Sequence, residues 1–325
     1  MNRMISLVLV AAALNALAAV AAPPPPAPTV QAVPSGKTAI LWDHLRADIT
    51  EIERHLDGVL GVAILDLDSG QQLLVNADEV FPQASSIKIA VLAELYHQAE
   101  QAAQGMPGKA RLADEYVVRS SDLVADSDIL GGLTPGVTRL TNRDLATMMV
   151  AVSDNAATNV LIDRVGMQNV TQLMAAQGLA HTQLRRKMMD LKAAGEGREN
   201  ISTPREMMTL LERLYRGQVI GAPLIEDFWT MLATHKDSWL PRGLPAELRI
   251  ANKPGELEGV RADSGVVFLK NRPYVICVMT TYLRNERAGE EAISAISSAA
   301  YNMFDRLASA SEYGRIISPN NGSVR

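Results

Sequence analysis

Cysteine is almost absent from this sequence, which contains a single one, Cys277, in 325 residues. One cysteine cannot form an internal disulfide, so stability has to come from packing, and a chain of this length can bury a large enough core. Cys277 lies in an apolar run without a polar neighbour that would lower the pKa of its thiol. We therefore predict a buried strand residue rather than a nucleophile.

Clustered histidine and clustered positive charge are also missing. No Lys/Arg block occurs and the net charge is −5, which argues against nucleic acid as a partner. The histidines form no H-x-x-x-H or H-x-H pair, so we predict neither a metal site nor any other cofactor. These scattered histidines are His44, His55, His97, His181 and His235.

The N-terminal residues have the pattern of an export signal. A positive start, Met1-Asn2-Arg3, precedes a mostly apolar stretch over residues 4–19, and Ala19-Val20-Ala21 is a small-x-small cleavage site. The stretch is short for a membrane span. We expect residues 1–21 to be cleaved, with an uncleaved anchor as the alternative. Cleavage removes one arginine and gives the mature protein a net charge of −6. We therefore expect an exported protein, periplasmic or secreted, without stable membrane insertion.

Residue patterns along the remaining chain predict an α+β fold. Apolar residues recur at three- and four-residue spacing in several segments, as in amphipathic helices, whereas other segments have the composition and turn signals of strands. The predicted helices are 39–56, 144–152, 156–165, 170–177, 204–216 and 288–307, and the predicted strands are 60–67, 71–76, 248–252, 264–269 and 273–282.

The order of these segments predicts two lobes. Strands lie towards both ends and helices in the middle, which indicates an antiparallel sheet flanked by helices, with an all-helical domain inserted. A cleft between two such lobes is a natural place for an active site. The predicted divisions are a signal peptide at 1–21, a Pro-rich linker at 22–38, one domain at 39–308 (sheet lobe about 39–84 and 222–308, helical lobe about 85–221) and a flexible tail at 309–325.

A candidate nucleophile lies in the tetrapeptide Ser85-Ser86-Ile87-Lys88. The apolar run at 89–93 predicts a buried helix that begins near the serine, so that Lys88, three residues on, shares the face of Ser85. The N-terminus of a helix offers free N–H groups beside the serine oxygen, and a buried amine can take the hydroxyl proton. The spacing alone is weak evidence, because chance supplies such a pair about once in a chain of this length.

A second polar motif, Ser153-Asp154-Asn155, follows a predicted helix. The simplest interpretation is a helix cap, which is a common role for Ser or Asp. A functional interpretation is that the Ser153 hydroxyl passes a proton to a leaving nitrogen while the Asn155 amide holds a substrate carbonyl.

A third motif, Lys253-Pro254-Gly255, comes at the end of the predicted strand 248–252. A lysine beside a glycine that permits close approach could hold an anionic group of a substrate. Taken alone, the motif is more typical of a surface lysine at a turn.

In this order and context, the three motifs resemble those of the class A β-lactamase and penicillin-binding-protein superfamily of serine hydrolases. The similarity covers about residues 40–308 and includes Leu244-Pro245-Ala246 before the Lys-x-Gly motif and Ser202-Thr203-Pro204 at the start of a helix. The resemblance implies the β-lactamase/transpeptidase-like fold. It also implies that the chain is a serine hydrolase acting on a cyclic amide, and so a source of antibiotic resistance through β-lactam breakdown.

The resemblance also implies catalytic roles. Ser85 would attack an acyl carbonyl and form an acyl-enzyme, and Lys88 would assist its deprotonation. Ser153 and Lys253 would handle the proton of the leaving group and the carboxylate of the substrate.

Four further residues would bind the substrate by the same resemblance. Asn155 would orient the acyl amide. The oxyanion hole would consist of the backbone N–H groups of Ser85 and Glu256, the residue after Gly255, and such donors are often worth about 10²–10³ in rate each. Arg261 would supplement the carboxylate site, with a solvated surface arginine as the alternative.

The loop after the helical segments departs from the family pattern. Class A β-lactamases carry a glutamate there that activates water, and in this chain its place falls on Met188 or Met189. A thioether cannot abstract a proton, and losing a general base costs on the order of 10²–10⁴ in rate. Substitutes could come from Asp190, Glu196 or Glu199.

Two polar positions also depart from the family. The expected aspartate partner of Arg186 is Asn200, which can accept a hydrogen bond without its charge-assisted strength. Pro254 replaces the usual Thr or Ser, which removes a hydroxyl and a backbone N–H that would serve the substrate carboxylate, and a proline there fits an edge strand.

The sequence therefore predicts a β-lactamase-like hydrolase with slow or unusual deacylation. The alternatives are a D-Ala-D-Ala peptidase or penicillin-binding relative, which works without the loop glutamate, an esterase, and a non-catalytic sensor of β-lactams or muropeptides. The expected partner is a small β-lactam or D-Ala-D-Ala-type acyl compound, and we expect a monomer.

Overall fold

The computed structural model describes residues 36–311 and 313–317. The predicted signal peptide and nearly all of the predicted linker lie outside the described residues. The linker prediction runs slightly too far, because the first helix begins at Lys37. Within the described residues, no helix is both long enough and apolar enough to cross a bilayer.

A five-stranded antiparallel sheet forms the centre of the fold. Its strands come from both ends of the chain, and its order is β2-β1-β9-β8-β7. The bounds are β1 Val59–Asp66, β2 Gln72–Val75, β7 Ile250–Leu257, β8 Val260–Val267 and β9 Tyr274–Thr281. Two small pairs lie outside this sheet, β3 Phe81–Pro82 with β6 Ile201–Ser202, and β4 Glu115–Val117 with β5 Arg139–Thr141.

Helices cover both faces of the sheet. The first and last helices, α1 Lys37–His55 and α9 Glu286–Ser309, pack against each other, and α9 contacts β8 and β9. The remaining helices are α2 Lys88–Ala103, α3 Asn142–Ala151, α4 Asn155–Val165, α5 Met167–Ala176, α6 Leu191–Gly195, α7 Pro204–Tyr215 and α8 Ala222–Leu232.

The sheet separates two hydrophobic cores. One core joins the inner face of the sheet to the helical segments and surrounds α2, which is buried over most of its length. The other core lies between the outer face and the helices α1 and α9, and includes the stacked rings of Tyr274 and Phe304. Cys277 is fully buried in β9 on the inner face, as predicted, and burial raises the pKa of its thiol to about 12.

The α+β class and the antiparallel sheet with flanking helices are therefore as predicted, but several boundaries differ. Strand β7 extends from Ile250 through the Lys-Pro-Gly motif to Leu257, whereas the predicted strand ended at residue 252. Helix α8 was not predicted. Helix α7 packs on the sheet strands β1 and β9, and α8 packs on both α2 and β7, so residue 221 does not divide a sheet lobe from a helical lobe.

The described part of the predicted tail is partly ordered by backbone contacts. Ala310 and Ile316 form an isolated β-bridge, and the N–H of Ile317 donates to the carbonyl of Ser309 at 2.8 Å. The amine of Lys37 donates to the carbonyl of Tyr313 at 3.1 Å.

Candidate active site

Ser85 lies in a single 3-10 turn, Ala84–Ile87, directly before helix α2. Ala84 has a φ of 45°, a left-handed conformation that costs an alanine roughly 1–2 kcal/mol. The Ser86 hydroxyl donates to the carbonyl of Lys253 at 2.8 Å, which fastens the turn to strand β7. Because Lys88 is the first residue of α2, its side chain and Ser85 stand at the same end of the helix.

The buried amine of Lys88 is the centre of a hydrogen-bond network. Its Nζ lies 2.6 Å from the Ser153 carbonyl oxygen, 2.9 Å from Ser153 Oγ and 2.9 Å from Asn155 Oδ1. The amine donates to all three acceptors, the two oxygens of Ser153 and the amide oxygen of Asn155. None of these three bonds is to Ser85.

Ser153 forms a sharp corner between α3 and α4, with a φ of 59°. The following Asp154 is fully buried and caps α4, since its carboxylate accepts from the N–H of Ala157 at 2.9 Å and from that of Leu130 at 2.8 Å. The predicted role of the motif as a helix cap is thus confirmed. The capped corner aims the Ser153 hydroxyl between two amines, because Lys253 Nζ lies 3.1 Å from its Oγ.

The edge strand β7 brings the third motif against the nucleophile turn. Pro254 fits there because its missing N–H lies in an edge strand of the sheet. Gly255 approaches the turn so closely that an added Cβ would lie 2.5 Å from the carbonyl oxygen of Gln83 and 3.0 Å from the nitrogen of Ser85. The glycine therefore allows the backbone of β7 to run beside the N–H of Ser85, with the exposed Glu256 next in the strand.

These groups meet in one cleft of about 310 Å³. That volume suits a small ligand. Among the predicted residues, Ser85, Ser153, Asn155, Lys253 and Glu256 line it. Lys88 and Gly255 lie behind that surface, in contact with the lining residues through the bonds and close approaches described above.

Burial controls the protonation of the two lysines in this cleft. Burial, and then the neighbouring charge of Lys253, lower the pKa of Lys88 well below its usual value. Burial, and then the charge of Lys236, lower the pKa of Lys253 to about 7. A lowered pKa raises the fraction of an amine that is neutral, and only the neutral amine can accept a proton, as a general base requires.

The loop that carries Met188 contributes no general base to the cleft. Asn159 holds the backbone of Met188, donating to its carbonyl at 3.0 Å and accepting from its N–H at 2.8 Å, and the Met188 side chain packs into the inner core. No described residue of the segment 184–200 lines the cleft. The three carboxylates considered as substitutes, Asp190, Glu196 and Glu199, are all engaged elsewhere.

Asp190 caps α6 by accepting from the N–H of Ala193, and Glu196 pairs with Arg198. Glu199 pairs with Arg186, whose Nη2 and Nε lie 2.7 and 3.1 Å from one carboxylate oxygen.

The predicted partner of Arg186 was wrong by one residue. The Asn200 side chain accepts from the backbone N–H groups of Arg185 and Arg186, at 2.7 and 3.0 Å, and does not contact the guanidinium. Glu199 supplies the negative charge instead, so the loop keeps a charge-assisted pair of the type that the sequence predicted to be lost.

Arg261 does not belong to the cleft. Cross-strand neighbours share a face, and Arg261 pairs with Glu256 whereas Lys253 pairs with Ser264, so the two basic side chains point to opposite faces of the sheet. The guanidinium is bound by Glu286 and Glu290 of α9, at 2.9 and 3.1 Å. Both the predicted substrate contact and the alternative of a solvated arginine are therefore corrected to a buried structural ion pair.

Four charged residues that line the cleft were not indicated by any sequence motif, namely Asp126, Asp128, Lys236 and Asp237. Lys236 lines the cleft beside Lys253, and the fully buried Asp263 accepts from the N–H groups of Trp239 and Leu240, both at 3.0 Å. Neither lies in a recognisable motif; Asp263 lies opposite Pro254 in the pairing of β8 with β7, and Lys236 comes from the segment after α8. Among the described residues, no group of three or more His, Cys, Asp or Glu could hold a metal ion.

Comparison with known proteins supports the interpretation of these motifs. The model of the beta-lactamase enzyme family matches residues 44–304. A beta-lactamase from Streptomyces fradiae is 30% identical over 278 residues, which cover 84% of this chain and 86% of the relative.

Solved structures give the same result. A beta-lactamase from Sphaerobacter thermophilus superposes with a TM-score of 0.72 at 29% identity, covering 81% of this chain and 98% of the other. PBP-A superposes with a TM-score of 0.71 at 26% identity, covering 81% and 96%, and a mutant of PBP-A has been solved as an acyl-enzyme complex with penicillin G. The predicted β-lactamase-type fold is confirmed, and the chain belongs to the beta-lactamase enzyme family.

Proposed function

We propose that this protein is a serine β-lactamase that opens a β-lactam ring through an acyl-enzyme on Ser85. The observation that carries the proposal is the position of Ser153 Oγ, 2.9 Å from the Lys88 amine and 3.1 Å from the Lys253 amine, in a cleft that Ser85 also lines. Such a chain of polar groups offers a path for a proton from the nucleophile to the nitrogen that leaves.

Acylation then needs one base and one acid. Neutral Lys88 removes the proton from Ser85 as its Oγ forms a bond to the lactam carbonyl carbon. When the carbon–nitrogen bond breaks, Ser153 delivers a proton to the ring nitrogen and recovers one from Lys88, so that the proton count balances. Lys253 holds the Ser153 hydroxyl in line and adds positive charge, and Asn155 orients the acyl amide.

The charge that develops on the carbonyl oxygen requires donors at fixed positions. The N–H groups of Ser85 and Glu256 are suited to this role, because Gly255 lets β7 run against the nucleophile turn. The Ser86 bond to the Lys253 carbonyl keeps the two backbone segments together. Preorganised donors of this kind act without reorganisation during the reaction.

Hydrolysis of the acyl-enzyme is the slow step in this proposal. The loop position expected to hold a glutamate carries Met188, and the nearby carboxylates cap a helix or pair with arginines. Water must then attack without a dedicated carboxylate base, which costs on the order of 10²–10⁴ in rate.

A D-Ala-D-Ala peptidase or penicillin-binding activity is the second candidate, and the methionine at position 188 favours it. The likeness to PBP-A, solved in one mutant form as an acyl-enzyme with penicillin G, supports the same candidate. Both candidates use the acyl-enzyme on Ser85 and differ in how long that species lasts. We further propose that the protein is exported and monomeric, with a small acyl compound as its substrate.

One experiment separates these functions. The protein without residues 1–21 is mixed with a chromogenic cephalosporin while intact mass and product release are followed. Turnover beyond one equivalent supports the β-lactamase, and a single burst with a lasting adduct supports the penicillin-binding candidate. Ser85→Ala should abolish both signals, and the exposed Ser121→Ala should change neither. Absence of any adduct on Ser85 contradicts the proposal.

A further inference from the structure

The cleft contains a second lysine, Lys236, that no sequence motif assigns. We propose that Lys236 determines specificity by binding, together with Lys253, a carboxylate on the leaving-amine side of the substrate. The inference rests on the proposed function, because it names a substrate feature that the same cleft recognises.

Lys253 alone is poorly equipped to bind such a carboxylate. Two of its three donors face Ser153 Oγ at 3.1 Å and the Pro254 carbonyl at 3.2 Å. Pro254 brings no hydroxyl, and Arg261 is bound to α9 on the opposite face of the sheet. An anion at this end of the cleft therefore needs another donor.

Lys236 supplies that donor from the chain segment after α8. Its side chain lines the cleft with Lys253 and Pro254. Its Nζ donates to the carbonyl of Leu232, the last residue of α8, at 2.8 Å, which leaves two N–H donors for a ligand. The carbonyl end of a helix also favours a positive charge, so the ammonium is held in place without a neutralising carboxylate at its tip.

The buried carboxylate of Asp263 holds both lysine-bearing segments together. One oxygen accepts from the N–H groups of Trp239 and Leu240, three and four residues after Lys236, both at 3.0 Å. The other accepts from Asn252 Nδ2, directly before Lys253, at 2.8 Å. Burial raises the pKa of Asp263, and the three accepted bonds oppose that rise by favouring the carboxylate. Asp263 is therefore a positioning residue with a negative charge behind the two amines.

Electrostatics make the pair responsive to an anion. Burial lowers the pKa of Lys236 to about 8, and burial followed by the charge of Lys236 lowers that of Lys253 to about 7. An arriving carboxylate favours both ammonium forms, so binding near pH 8 should take up protons. The charged groups acting on the pair are Asp263 on both lysines and Glu256 on Lys253, with Lys88 next to Lys253 and with three aspartates at the cleft wall, Asp126, Asp128 and Asp237.

The test compares penicillin G with its uncharged methyl ester. In Lys236→Gln, the second-order acylation rate for penicillin G should fall roughly 10- to 100-fold, the range for losing a charge-assisted hydrogen bond. The rate for the methyl ester should change by less than about threefold on the same reasoning. Lys236→Arg should restore most of the penicillin G rate. The exposed Lys270→Gln, which removes the same charge from a remote turn, should leave both rates unchanged.

The pH dependence of the rate ratio between the two substrates tests the charge of Lys236, because a residue with a purely structural role would not change that dependence when replaced. For the wild type, the penicillin G to methyl ester rate ratio should fall as pH rises through about 7 to 8, because the amines lose their protons. In Lys236→Gln the fall should be smaller, and its midpoint should lie above 7, because the charge that lowers the pKa of Lys253 is gone. Equal losses for both substrates in Lys236→Gln, or an unchanged ratio in Lys236→Arg and Lys236→Gln alike, would overturn the proposal.

Binding to Ser85→Ala separates this inference from the proposed function, because it requires no chemistry. Calorimetry in two buffers of different ionisation enthalpy should detect proton uptake with penicillin G and none with the ester. If the wild type is not acylated while Ser85→Ala still binds penicillin G more tightly than the ester, the proposed function is refuted and the role of Lys236 is not. Binding that is equal for the two compounds refutes the role of Lys236.

Discussion

The close approach of Gly255 to the nucleophile turn leads to a quantitative prediction for Gly255→Ala. The added Cβ would lie 2.5 Å from the Gln83 carbonyl oxygen, 2.8 Å from the Ser86 nitrogen and 3.0 Å from the Ser85 nitrogen. An ordinary contact of about 3.4 Å therefore requires a retreat of about 0.9 Å. Strand β7 is an edge strand and can move outward, which carries the N–H of Glu256 away from the reacting oxygen.

A donor shifted by about 0.9 Å from about 2.9 Å no longer forms a hydrogen bond. Losing one oxyanion donor costs about 10²–10³ in rate, or about 2.7–4 kcal/mol. We expect the maximal acylation rate with a chromogenic cephalosporin to fall by that factor, whereas the concentration needed for half saturation changes little. The clash itself should lower the unfolding free energy by about 1–3 kcal/mol.

Stopped-flow acylation and thermal melting measure these two effects separately. Gly58→Ala is the matched control, since its Cβ would lie 2.9 Å from the Thr281 carbonyl oxygen, away from the cleft, and should destabilise the fold without slowing acylation beyond about threefold. A folded Gly255→Ala protein that acylates at a rate near that of the wild type would refute the assignment of the Glu256 N–H to the oxyanion hole.

Three further predictions concern the loop and the buried carboxylate. Met188→Glu should shorten the acyl-enzyme lifetime by about 10²-fold or more, because the cost of burying a charge turns the new carboxylate out of the inner core, where it can activate water. The free energy of unfolding should fall as well, since the packing of Met188 is lost, and an unchanged adduct lifetime by mass spectrometry would contradict the prediction. Glu199→Gln should lower the free energy of unfolding by about 1.5–3 kcal/mol in urea titrations, because it breaks a partly buried pair with Arg186. The control Glu196→Gln should lower it by less than about 1 kcal/mol, because the pair with Arg198 is exposed, and equal losses would argue against burial as the cause. Asp263→Asn should move the fall of the penicillin G to methyl ester rate ratio to lower pH by about one unit, since removing a neighbouring negative charge lowers the pKa of both lysines. Combining Asp263→Asn with Asn252→Asp should bring the pH midpoint back to its wild-type value. A midpoint that is the same in the single and double variants as in the wild type would exclude an electrostatic role of Asp263.

Local features of this chain were predictable because they depend on neighbours in sequence. Lys88 comes three positions after Ser85, so a helix that begins there places both at its first turn regardless of the rest of the fold. Thr203 does cap α7, accepting from the N–H of Glu206 at 3.1 Å, with Pro204 at the first helical position. Pro254 also fits its edge strand for a local reason, the missing N–H.

The remaining site could not be predicted because strand phase and cross-strand partners are set by the whole sheet. A shift of one residue reverses the face of a strand side chain, and the sequence gives no way to see that Arg261 faces α9 rather than the cleft. Asp263 binds the N–H groups of Trp239 and Leu240, more than twenty positions earlier and close to Lys236, only because the segment before β7 folds against β8. In the same way, whether Glu199 or Asn200 reaches Arg186 depends on how a loop closes.

The left-handed conformations of Ala84 and Ser153 bear on the evolution of this protein. Each costs roughly 1–2 kcal/mol that the rest of the fold has to compensate, a large share of the marginal stability of a domain. Ala84→Gly should raise the melting temperature while loosening the turn that aims Ser85, so melting and acylation measured together should move in opposite directions. Lineages selected for heat resistance and lineages selected for fast turnover would then be expected to diverge at these two corners first.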